Sequence, residues 1–395
     1  MTVHSKSFLT FNPLRVPSPC FVVDEVAVEK NLKKLADVQA RSGAKILMAL
    51  KAFSMFSLAP LIGRYLSGVC ASGLHEALLG KEEYCTADNK GEVHTFCAAY
   101  TEADLHEILE ISDHVVFNSF GQWRRFQAMA MAAKQQRPQL QFGLRLNPQH
   151  SEGTAVIYDP CAPCSRLGIP ADQFHELDLS GISGIHFHTL CEQNYEPLAR
   201  TLDVVERQLG NTLSSLKWIN FGGGHHITAD DYNVEALIER IIKIRKTYDI
   251  DVYLEPGEAI AINTGILVSE VLDITHNGMD LAILDISATC HIPDTLEMPY
   301  RAHIFDSGEV EQKQYSYRLG GQTCLAGDVI NDYSFDGPLH IGQRLIFDDM
   351  SHYTMVKTTT FNGIALPSIA TWNSNSDRVE LIKIFGYEDF KSRLS

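Results

Sequence analysis

The chain has 395 residues, of which 45% are hydrophobic, so it can bury a large core and form two domains. A formal net charge of −16 at pH 7 argues against nucleic acid and anionic membranes as partners. The charge would attract a small cation, although solubility alone is the commoner reason for it. No apolar stretch approaches membrane-spanning length, and nine cysteines without a signal peptide predict reduced thiols in the cytoplasm.

Strand-like and helix-like segments alternate over residues 25–266, which is the pattern of an α/β barrel. The first helix is predicted over residues 24–40, because Val28, Leu32 and Leu35 recur at helical spacing behind Asp24 as a cap. From residue 267 onward, short strand-like runs separated by glycine and proline turns predict a β-domain. We therefore expect a barrel followed by a second, all-β part.

Lys51 follows the apolar run Ile46–Met48, which is too short for a helix and predicts a buried strand. Barrel enzymes place their chemistry where such strands end. Burial would lower the pKa of a lysine toward the neutral amine that forms a Schiff base. Taken alone, a lysine that reaches from the strand end into solvent is the commoner structure.

The segment Gly184–His188 alternates like a strand, so that His186 and His188 share one face and Phe187 lies on the other. One of the two histidines could stack on a planar ring. A hydrogen-bonded core histidine is the commoner explanation for either one alone.

Three consecutive glycines, Gly222–Gly224, follow the strand-like segment Leu216–Ile219. Without side chains, their backbone N–H groups can converge on an anion such as a phosphate. An ordinary flexible turn is an equally good explanation of the motif alone. The Rossmann and Walker A patterns are absent, which favours a phosphorylated group smaller than a nucleotide.

Glu255 ends the predicted strand Asp251–Leu254 and precedes the turn formed by Pro256 and Gly257. Its carboxylate could pair with a protonated pyridine nitrogen, which would keep the ring cationic and electron-withdrawing. A solvated loop glutamate is the alternative.

Two further motifs invite a metal interpretation that we do not adopt. Cys161 and Cys164 form a single CxxC in a proline-flanked loop, without the second pair that a zinc site needs. His225 and His226 are adjacent, and neighbouring residues in an extended chain point to opposite sides. We predict no metal site.

These motifs follow one another in an order that is far more specific than any one of them. The same set includes Gly321–Cys324 with Asp328, Asp349–Tyr353 and Thr360–Gly363. Over nearly the whole chain it resembles the fold type III pyridoxal phosphate decarboxylases, the group of ornithine, arginine and diaminopimelate decarboxylases. Further segments resemble the branch of that family that acts on carboxylated triamines: Ala71–Glu76, Asp159–Pro163, Ser165–Gly168, His188–Glu192 and Glu255–Glu258.

The resemblance implies a TIM-like (β/α)8 barrel over 25–266, with a β-domain of 1–24 plus 267–395 to which the segment at 19–23 adds a strand. It also implies bound pyridoxal 5'-phosphate. Lys51 would hold the cofactor covalently, His188 would stack on its ring and Glu255 would pair with the ring nitrogen. Gly222, Gly223, Gly224 and Tyr353 would bind the phosphate. Cys324 would be the acid that protonates the substrate.

The resemblance further implies a homodimer with shared active sites, in which the second subunit contributes the Cys324 segment. Aspartates at two positions, Asp285 and Asp328, would lie near the substrate. The implied reaction is decarboxylation of carboxynorspermidine to norspermidine or of carboxyspermidine to spermidine, in polyamine biosynthesis.

Three positions depart from the wider family. Cys191 stands where relatives have a phosphate-binding serine, and Glu258 stands where they have a phosphate-binding arginine. We expect Glu258 or Glu192 to face a cationic part of the substrate instead. Leu325 replaces the aspartate with which ornithine decarboxylases bind the distal amine, which argues against ornithine. A diaminopimelate decarboxylase and a non-catalytic, decarboxylase-like binding protein stay as alternatives.

Overall fold

The computed structural model describes residues 5–86, 89–153, 155–174 and 178–395. The chain divides into two units. The first comprises Glu29–Ile260, and the second comprises Met1–Val28 together with Ala261–Ser395. The predicted domain boundaries, after residues 24 and 266, stay a prediction. Residues 1–4 of the predicted β-domain lie outside the described residues.

Strands and helices are numbered here in chain order. The strands are β1 (Cys20–Asp24), β2 (Lys45–Ala49), β3 (Gly68–Ala71), β4 (Glu92–Cys97), β5 (His114–Phe117), β6 (Gln141–Asn147), β7 (Ile169–Pro170), β8 (Gly184–His186), β9 (Trp218–Asn220), β10 (Asp251–Leu254), β11 (Gly265–Asn277), β12 (Met279–Leu284), β13 (Tyr315–Gly320), β14 (Val329–Phe335), β15 (Arg344–Asp348), β16 (Ser368–Asn373) and β17 (Arg378–Lys383). The α-helices are α1 (Glu25–Ser42), α2 (Ala59–Ile62), α3 (Leu74–Leu79), α4 (Glu102–Ile111), α5 (Phe120–Gln136), α6 (Ala171–Phe174), α7 (Tyr195–Leu209), α8 (Val234–Tyr248), α9 (Glu258–Ala261), α10 (Ala288–His291), α11 (Asp294–Glu297) and α12 (Tyr387–Lys391).

The first unit is a closed barrel of parallel strands, which confirms the predicted (β/α)8 fold. Eight strands pair in the order β5, β4, β3, β2, β10, β9, β8 and β6, and β6 pairs with β5 to close the ring. The ninth strand, β7, pairs with β6 outside the ring. Because all strands of the ring run in one direction, their carboxyl ends meet at one end of the barrel.

Amphipathic helices connect these strands, and α8 shows why they form. Its apolar residues Leu237, Ile238, Ile241 and Ile244 recur at helical spacing and are buried. The helix begins after Asn233, whose side-chain oxygen accepts a hydrogen bond from the Ala236 N–H at 3.1 Å. The helix predicted at residues 24–40 is observed as α1.

The interior of the barrel is polar near the amino ends of its strands. Glu92, the first residue of β4, accepts hydrogen bonds from Lys45 (2.5 Å) and from the Tyr253 hydroxyl (3.0 Å), and its other neighbour is His94 (2.9 Å). The ring of His94 stacks on that of His114, with centroids 3.9 Å apart. Lys45, Glu92 and Tyr253 therefore satisfy one another, whereas Nδ1 of His94 and of His114 is buried without a hydrogen bond among the described residues.

The second unit contains a mostly antiparallel sheet of eight strands, in the order β14, β13, β12, β11, β1, β16 and β17, with β15 also pairing with β11. The strand predicted at residues 19–23 is observed as β1, which lies between β11 and β16. The hydrophobic core of this second unit includes four fully buried residues, Leu284, Leu319, Tyr333 and Phe347.

No helix among the described residues is long and apolar enough to cross a membrane. All nine cysteines are free thiols.

Candidate active site

Lys51 lies two residues beyond β2, at the barrel end where β8, β9 and β10 also finish. The expectation that Lys51 is buried is wrong, because its side chain is exposed. Lys51 lies in the turn after β2, between the buried residues Leu50 and Ala52. The charge of Lys51 nevertheless contributes to a lowered pKa of His188, so the two side chains interact.

Glu255 follows β10 directly, and its side chain is only 13% exposed. Asn220, at the end of β9, donates from Nδ2 to Glu255 Oε1 at 2.7 Å. His186, at the end of β8, places Nε2 3.3 Å from Oε2. Burial raises the pKa of this carboxyl, but His186, followed by the charge of His94 and the hydrogen bond from Asn220, outweighs that effect and holds the pKa at about 2. Such an anion suits a protonated ring nitrogen.

His188 is held as a neutral imidazole. Its Nδ1 accepts a hydrogen bond from the Gly223 N–H at 3.0 Å. Burial, followed by the charges of Lys51 and Arg145, lowers the pKa of His188 well below its usual value. A neutral ring whose orientation is set through Nδ1 can stack on a flat aromatic group. Phe187 points to the opposite face, where its ring packs against Phe221 with centroids 5.7 Å apart.

The glycine turn, Gly222–Gly224, is required by packing. A Cβ on any of the three glycines would lie within 2.5 Å of a backbone oxygen of a neighbouring segment. The Gly222 N–H donates to Asn220 Oδ1 at 2.8 Å, and the Gly223 N–H donates to His188. Within the described ranges the Gly224 N–H has no hydrogen-bond partner. Of the three N–H groups predicted to meet an anion, that of Gly224 is the one available.

The two glutamates predicted to face the substrate are both near Cys191. Glu258 begins α9, and its Oε2 lies 3.4 Å from Nε2 of His226. Glu192 is exposed and has a left-handed backbone conformation, with φ of 53°. Burial raises the pKa of the Cys191 thiol to about 12, and the charges of Glu192 and Glu258 add to that effect. This side of the barrel end therefore carries negative charge.

Sequence reasoning missed three side chains at this end. Asn220 donates a hydrogen bond to Glu255, and the sequence shows it only as a polar residue two positions before the glycines. Arg145 in β6 is 5% exposed and donates to the His188 carbonyl at 3.3 Å. Burial lowers the pKa of Arg145 to about 10, while Glu255 opposes that shift. Cys70 in β3 lies beside Glu255, and burial followed by the Glu255 charge raises the pKa of its thiol. Strand alternation could have placed Arg145 inside the barrel.

Cys324 belongs to the second unit, in the exposed loop between β13 and β14. Its N–H donates to Asn362 Oδ1 at 2.9 Å. Asp328 is buried at the other end of this loop and accepts hydrogen bonds from Ser287 Oγ (2.9 Å) and from Thr323 Oγ1 (2.6 Å). Asp328 therefore braces the loop that carries Cys324.

Two more predicted site residues lie in the same unit. Asp285 follows β12 and accepts hydrogen bonds from Ser269 Oγ (2.9 Å) and from the Glu270 N–H (2.8 Å). Burial raises the pKa of the Asp285 carboxyl, while these hydrogen bonds oppose the shift. Tyr353 lies in the turn after β15, is half-buried and has a positive φ of 45°.

Among the described residues, a single group of side chains has the composition and spacing of a metal site: Glu92, His94 and His114. The Lys45 ammonium already forms an ion pair with the Glu92 carboxylate. The two histidine rings are stacked on each other and do not converge on one point. A cation on the same carboxylate opposes a second cation. We interpret the group as a hydrogen-bonded network of the barrel interior.

The profile of the family described as "Pyridoxal-dependent decarboxylase, C-terminal sheet domain" matches residues 20–351 of the chain. The chain belongs to the pyridoxal-dependent decarboxylases. Its resemblance to this family, inferred from the ordered motifs, is thereby confirmed.

Individual relatives cover almost the whole decarboxylase chain. It is 40% identical over 390 residues to the carboxynorspermidine/carboxyspermidine decarboxylase of Campylobacter jejuni, covering 96% of this chain and 99% of that protein. It is also 40% identical over 381 residues to the carboxyaminopropylagmatine decarboxylase of Synechocystis, covering 96% of each. The crystal structure of the C. jejuni carboxynorspermidine decarboxylase complexed with norspermidine aligns with a TM-score of 0.86 and 39% identity, covering 96% of this chain and 100% of that one.

The residues of this decarboxylase fit its cofactor, pyridoxal phosphate. The barrel end offers a primary amine on Lys51, a neutral imidazole on His188 and a buried anion on Glu255. These groups match the aldehyde, the ring face and the ring nitrogen of pyridoxal phosphate. The available N–H of Gly224 is suited to a phosphate oxygen.

Proposed function

We propose that this pyridoxal phosphate enzyme decarboxylates a carboxylated triamine, converting carboxynorspermidine to norspermidine, carboxyspermidine to spermidine, or both. The observation that carries the proposal is the similarity along the whole chain to the C. jejuni enzyme crystallised with norspermidine. The negative charge of Glu192 and Glu258 beside Cys191 supports it, because the substrate is a polyamine cation.

The barrel residues bind and orient the cofactor in this proposal. Lys51 holds it covalently through its amine, and His188 stacks on the ring as the neutral imidazole that Gly223 orients. Glu255 keeps a proton on the ring nitrogen. Gly224 and Tyr353 bind the phosphate, with Gly222 and Gly223 shaping the turn. When bound, pyridoxal phosphate supplies an electron-withdrawing ring that takes up the electron pair left by the departing carboxylate.

The proton that replaces the carboxylate comes from Cys324. The bond between the substrate α-carbon and its carboxylate carbon breaks, carbon dioxide leaves, and the thiol proton of Cys324 is transferred to the α-carbon. Water then returns a proton to the thiolate. Asp328, which was expected near the substrate, is buried and hydrogen-bonded to Ser287 and Thr323, so in this proposal it braces the loop on which Cys324 lies. Asp285, held by Ser269 at the end of β12, is assigned to bind the substrate.

The charge pattern supports a proposal for the part of the site that binds the substrate. Glu258 occupies the position at which relatives carry a phosphate-binding arginine, and its carboxylate pairs with His226. We assign Glu258 and the exposed Glu192 to the secondary and distal amines of the triamine. Two carboxylates against two ammonium groups give the selectivity for a polyamine over a short amino acid.

The active enzyme is proposed to be a cytoplasmic homodimer in which each active site combines the barrel of one subunit with the Cys324 loop of its partner. Nine free thiols support a reducing compartment. Mixing Lys51→Ala and Cys324→Ala subunits tests the dimer. Random reassociation makes about half of the dimers mixed, each with one intact site of two, so about a quarter of wild-type activity should return. Mixtures as inactive as the separate variants would contradict shared sites.

Product analysis by mass spectrometry tests the substrate. The pyridoxal phosphate-loaded protein is incubated in parallel with carboxynorspermidine, carboxyspermidine, carboxyaminopropylagmatine, diaminopimelate, ornithine and arginine. We expect conversion of one or both carboxylated triamines and no conversion of the three amino acids. Turnover of carboxyaminopropylagmatine alone, or of diaminopimelate alone, would refute the triamine assignment while leaving the cofactor and the fold in place.

A further inference from the structure

The Glu255 carboxylate is held by side chains from two neighbouring strands. Asn220 donates to Oε1 at 2.7 Å from the end of β9, and Nε2 of His186 lies 3.3 Å from Oε2 at the end of β8. Asn220 and His186 are 1% and 2% exposed, so neither competes with water for the carboxylate. Oε1 therefore accepts a hydrogen bond from one strand, and Oε2 makes an ion-pair contact with the next.

Asn220 also ties this carboxylate to the glycine turn. Its Oδ1 accepts the Gly222 N–H at 2.8 Å, while its Nδ2 serves Glu255. The Glu255 N–H in turn donates to the Gly222 carbonyl at 2.7 Å. One amide side chain thus couples the anion to the backbone next to the proposed phosphate donor, so the two anchoring points of the cofactor cannot shift independently.

His186 has little else to bind. In the described part of the chain neither ring nitrogen makes a hydrogen bond of good geometry, and the contact of Nε2 with Glu255 Oε2, at 3.3 Å, is an ion-pair contact. Burial lowers the pKa of His186, and the Glu255 charge opposes that shift, so the two side chains interact. The other titratable groups that act on Glu255 from the surrounding strands are His94, Arg145 and Cys70.

We propose that His186 and Asn220 are positioning residues, which hold the Glu255 carboxylate as an oriented anion so that the proton on the cofactor ring nitrogen is retained. The proposal rests on the assignment of Glu255 to that nitrogen. It adds two residues, on two different strands, to the machinery of the reaction. A histidine that only fills the core would have hydrogen bonds for its own nitrogens, whereas the polar contact of the buried His186 ring is with the carboxylate.

The test uses holoenzyme reconstituted with cofactor labelled with ¹⁵N at the ring nitrogen, whose chemical shift reports protonation. His186→Leu and Asn220→Leu remove the two donors. The loss of a hydrogen bond to a charged group predicts a fall in kcat of about tenfold or more, with KM changed less than about threefold. We also expect the ring-nitrogen resonance to move toward its deprotonated value and the apoenzyme to bind cofactor more weakly. His186→Gln, which keeps a donor, should restore most of each property.

His114→Phe is the matched control, because it removes a buried barrel histidine that stacks between His94 and Trp218 without contacting Glu255. The ring-nitrogen resonance of the cofactor bound to this variant should equal that in the wild type. If Asn220→Leu does not fold, Asn220→Ala replaces it, because alanine also removes the donor to Glu255 Oε1. The ring-nitrogen resonance should then move toward its deprotonated value, as in the leucine variant.

A ring nitrogen that stays protonated in folded His186→Leu and in an Asn220 variant would overturn the proposal. Glu255→Gln separates that failure from failure of the underlying assignment. If Glu255→Gln moves the resonance and the His186 and Asn220 variants do not, the positioning role is wrong and the role of Glu255 stands. If Glu255→Gln itself leaves the resonance unchanged, both are wrong.

Discussion

Replacing Glu92 by glutamine should destabilise the barrel without changing its shape. The Glu92 carboxylate, 28% exposed, lies 2.5 Å from the Lys45 ammonium and accepts a hydrogen bond from the Tyr253 hydroxyl at 3.0 Å. Glutamine keeps the volume but removes the negative charge, so Lys45 loses its counterion. The pair connects the first residues of β2 and β4, which are not adjacent in the ring.

The expected loss of stability in Glu92→Gln lies between two known limits. Exposed ion pairs contribute up to about 1 kcal/mol, whereas breaking a fully buried pair costs about 3–5 kcal/mol. Since the Lys45 side chain is 41% exposed and Glu92 is 28% exposed, solvent screens part of the interaction. We therefore expect Glu92→Gln to lower the free energy of unfolding by about 2 kcal/mol at pH 7.

The effect should disappear in acid. Burial raises the pKa of Glu92, but the contacts with His94 and Lys45 more than offset it and leave the pKa well below its usual value. A carboxyl whose folded pKa is depressed contributes stability above its unfolded pKa of about 4.3 and loses it as the pH falls. The difference between wild type and Glu92→Gln should thus be complete at pH 6–7 and shrink below about pH 4.5.

Urea unfolding followed by tryptophan fluorescence measures this difference. Glu235→Gln is the control, because Glu235 pairs with Arg41 on the surface, with side chains 68% and 41% exposed. That variant should lose less than about 1 kcal/mol. A Glu92→Gln variant as stable as the wild type at pH 7, or one whose loss persists unchanged at pH 4, would refute the reasoning.

Three other outcomes follow from the structure. Lys51→Ala should abolish the visible absorption band of the bound cofactor while the far-UV circular dichroism stays unchanged, and a retained band would place the covalent link elsewhere. Cys324→Ala should lower kcat by about 100-fold or more with KM little changed, because general acid catalysis contributes about that much. Undiminished turnover would show that Cys324 is not the acid. Gly184→Ala should lower the free energy of unfolding in urea by about 1–3 kcal/mol, because the new Cβ would lie 2.0 Å from the Trp218 ring. Gly386→Ala is the control and should leave that free energy unchanged, because no atom lies within 4 Å of its Cβ.

Much of the fold was predictable from local pattern. The apolar runs before Lys51 and Glu255 are the buried strands β2 and β10, and the helical spacing behind Asp24 is α1. Strand alternation placed His186 and His188 on one face, and the structure directs both toward the glycine turn or Glu255. Residue order along the chain sufficed for these features because hydrophobic periodicity and turn chemistry act over a few residues.

The tertiary structure decided which groups meet. Asn220 and His186 are 35 and 69 positions away from Glu255 in the chain, and only the parallel pairing of β8, β9 and β10 brings them to its two oxygens. Lys51 is exposed although its neighbours Leu50 and Ala52 are buried, which the apolar run before it did not predict. The sequence alone thus determined the elements and the candidate chemistry, because those follow from local propensity. Partners, burial and charge state depended on the register between strands distant in sequence, which no local pattern encodes.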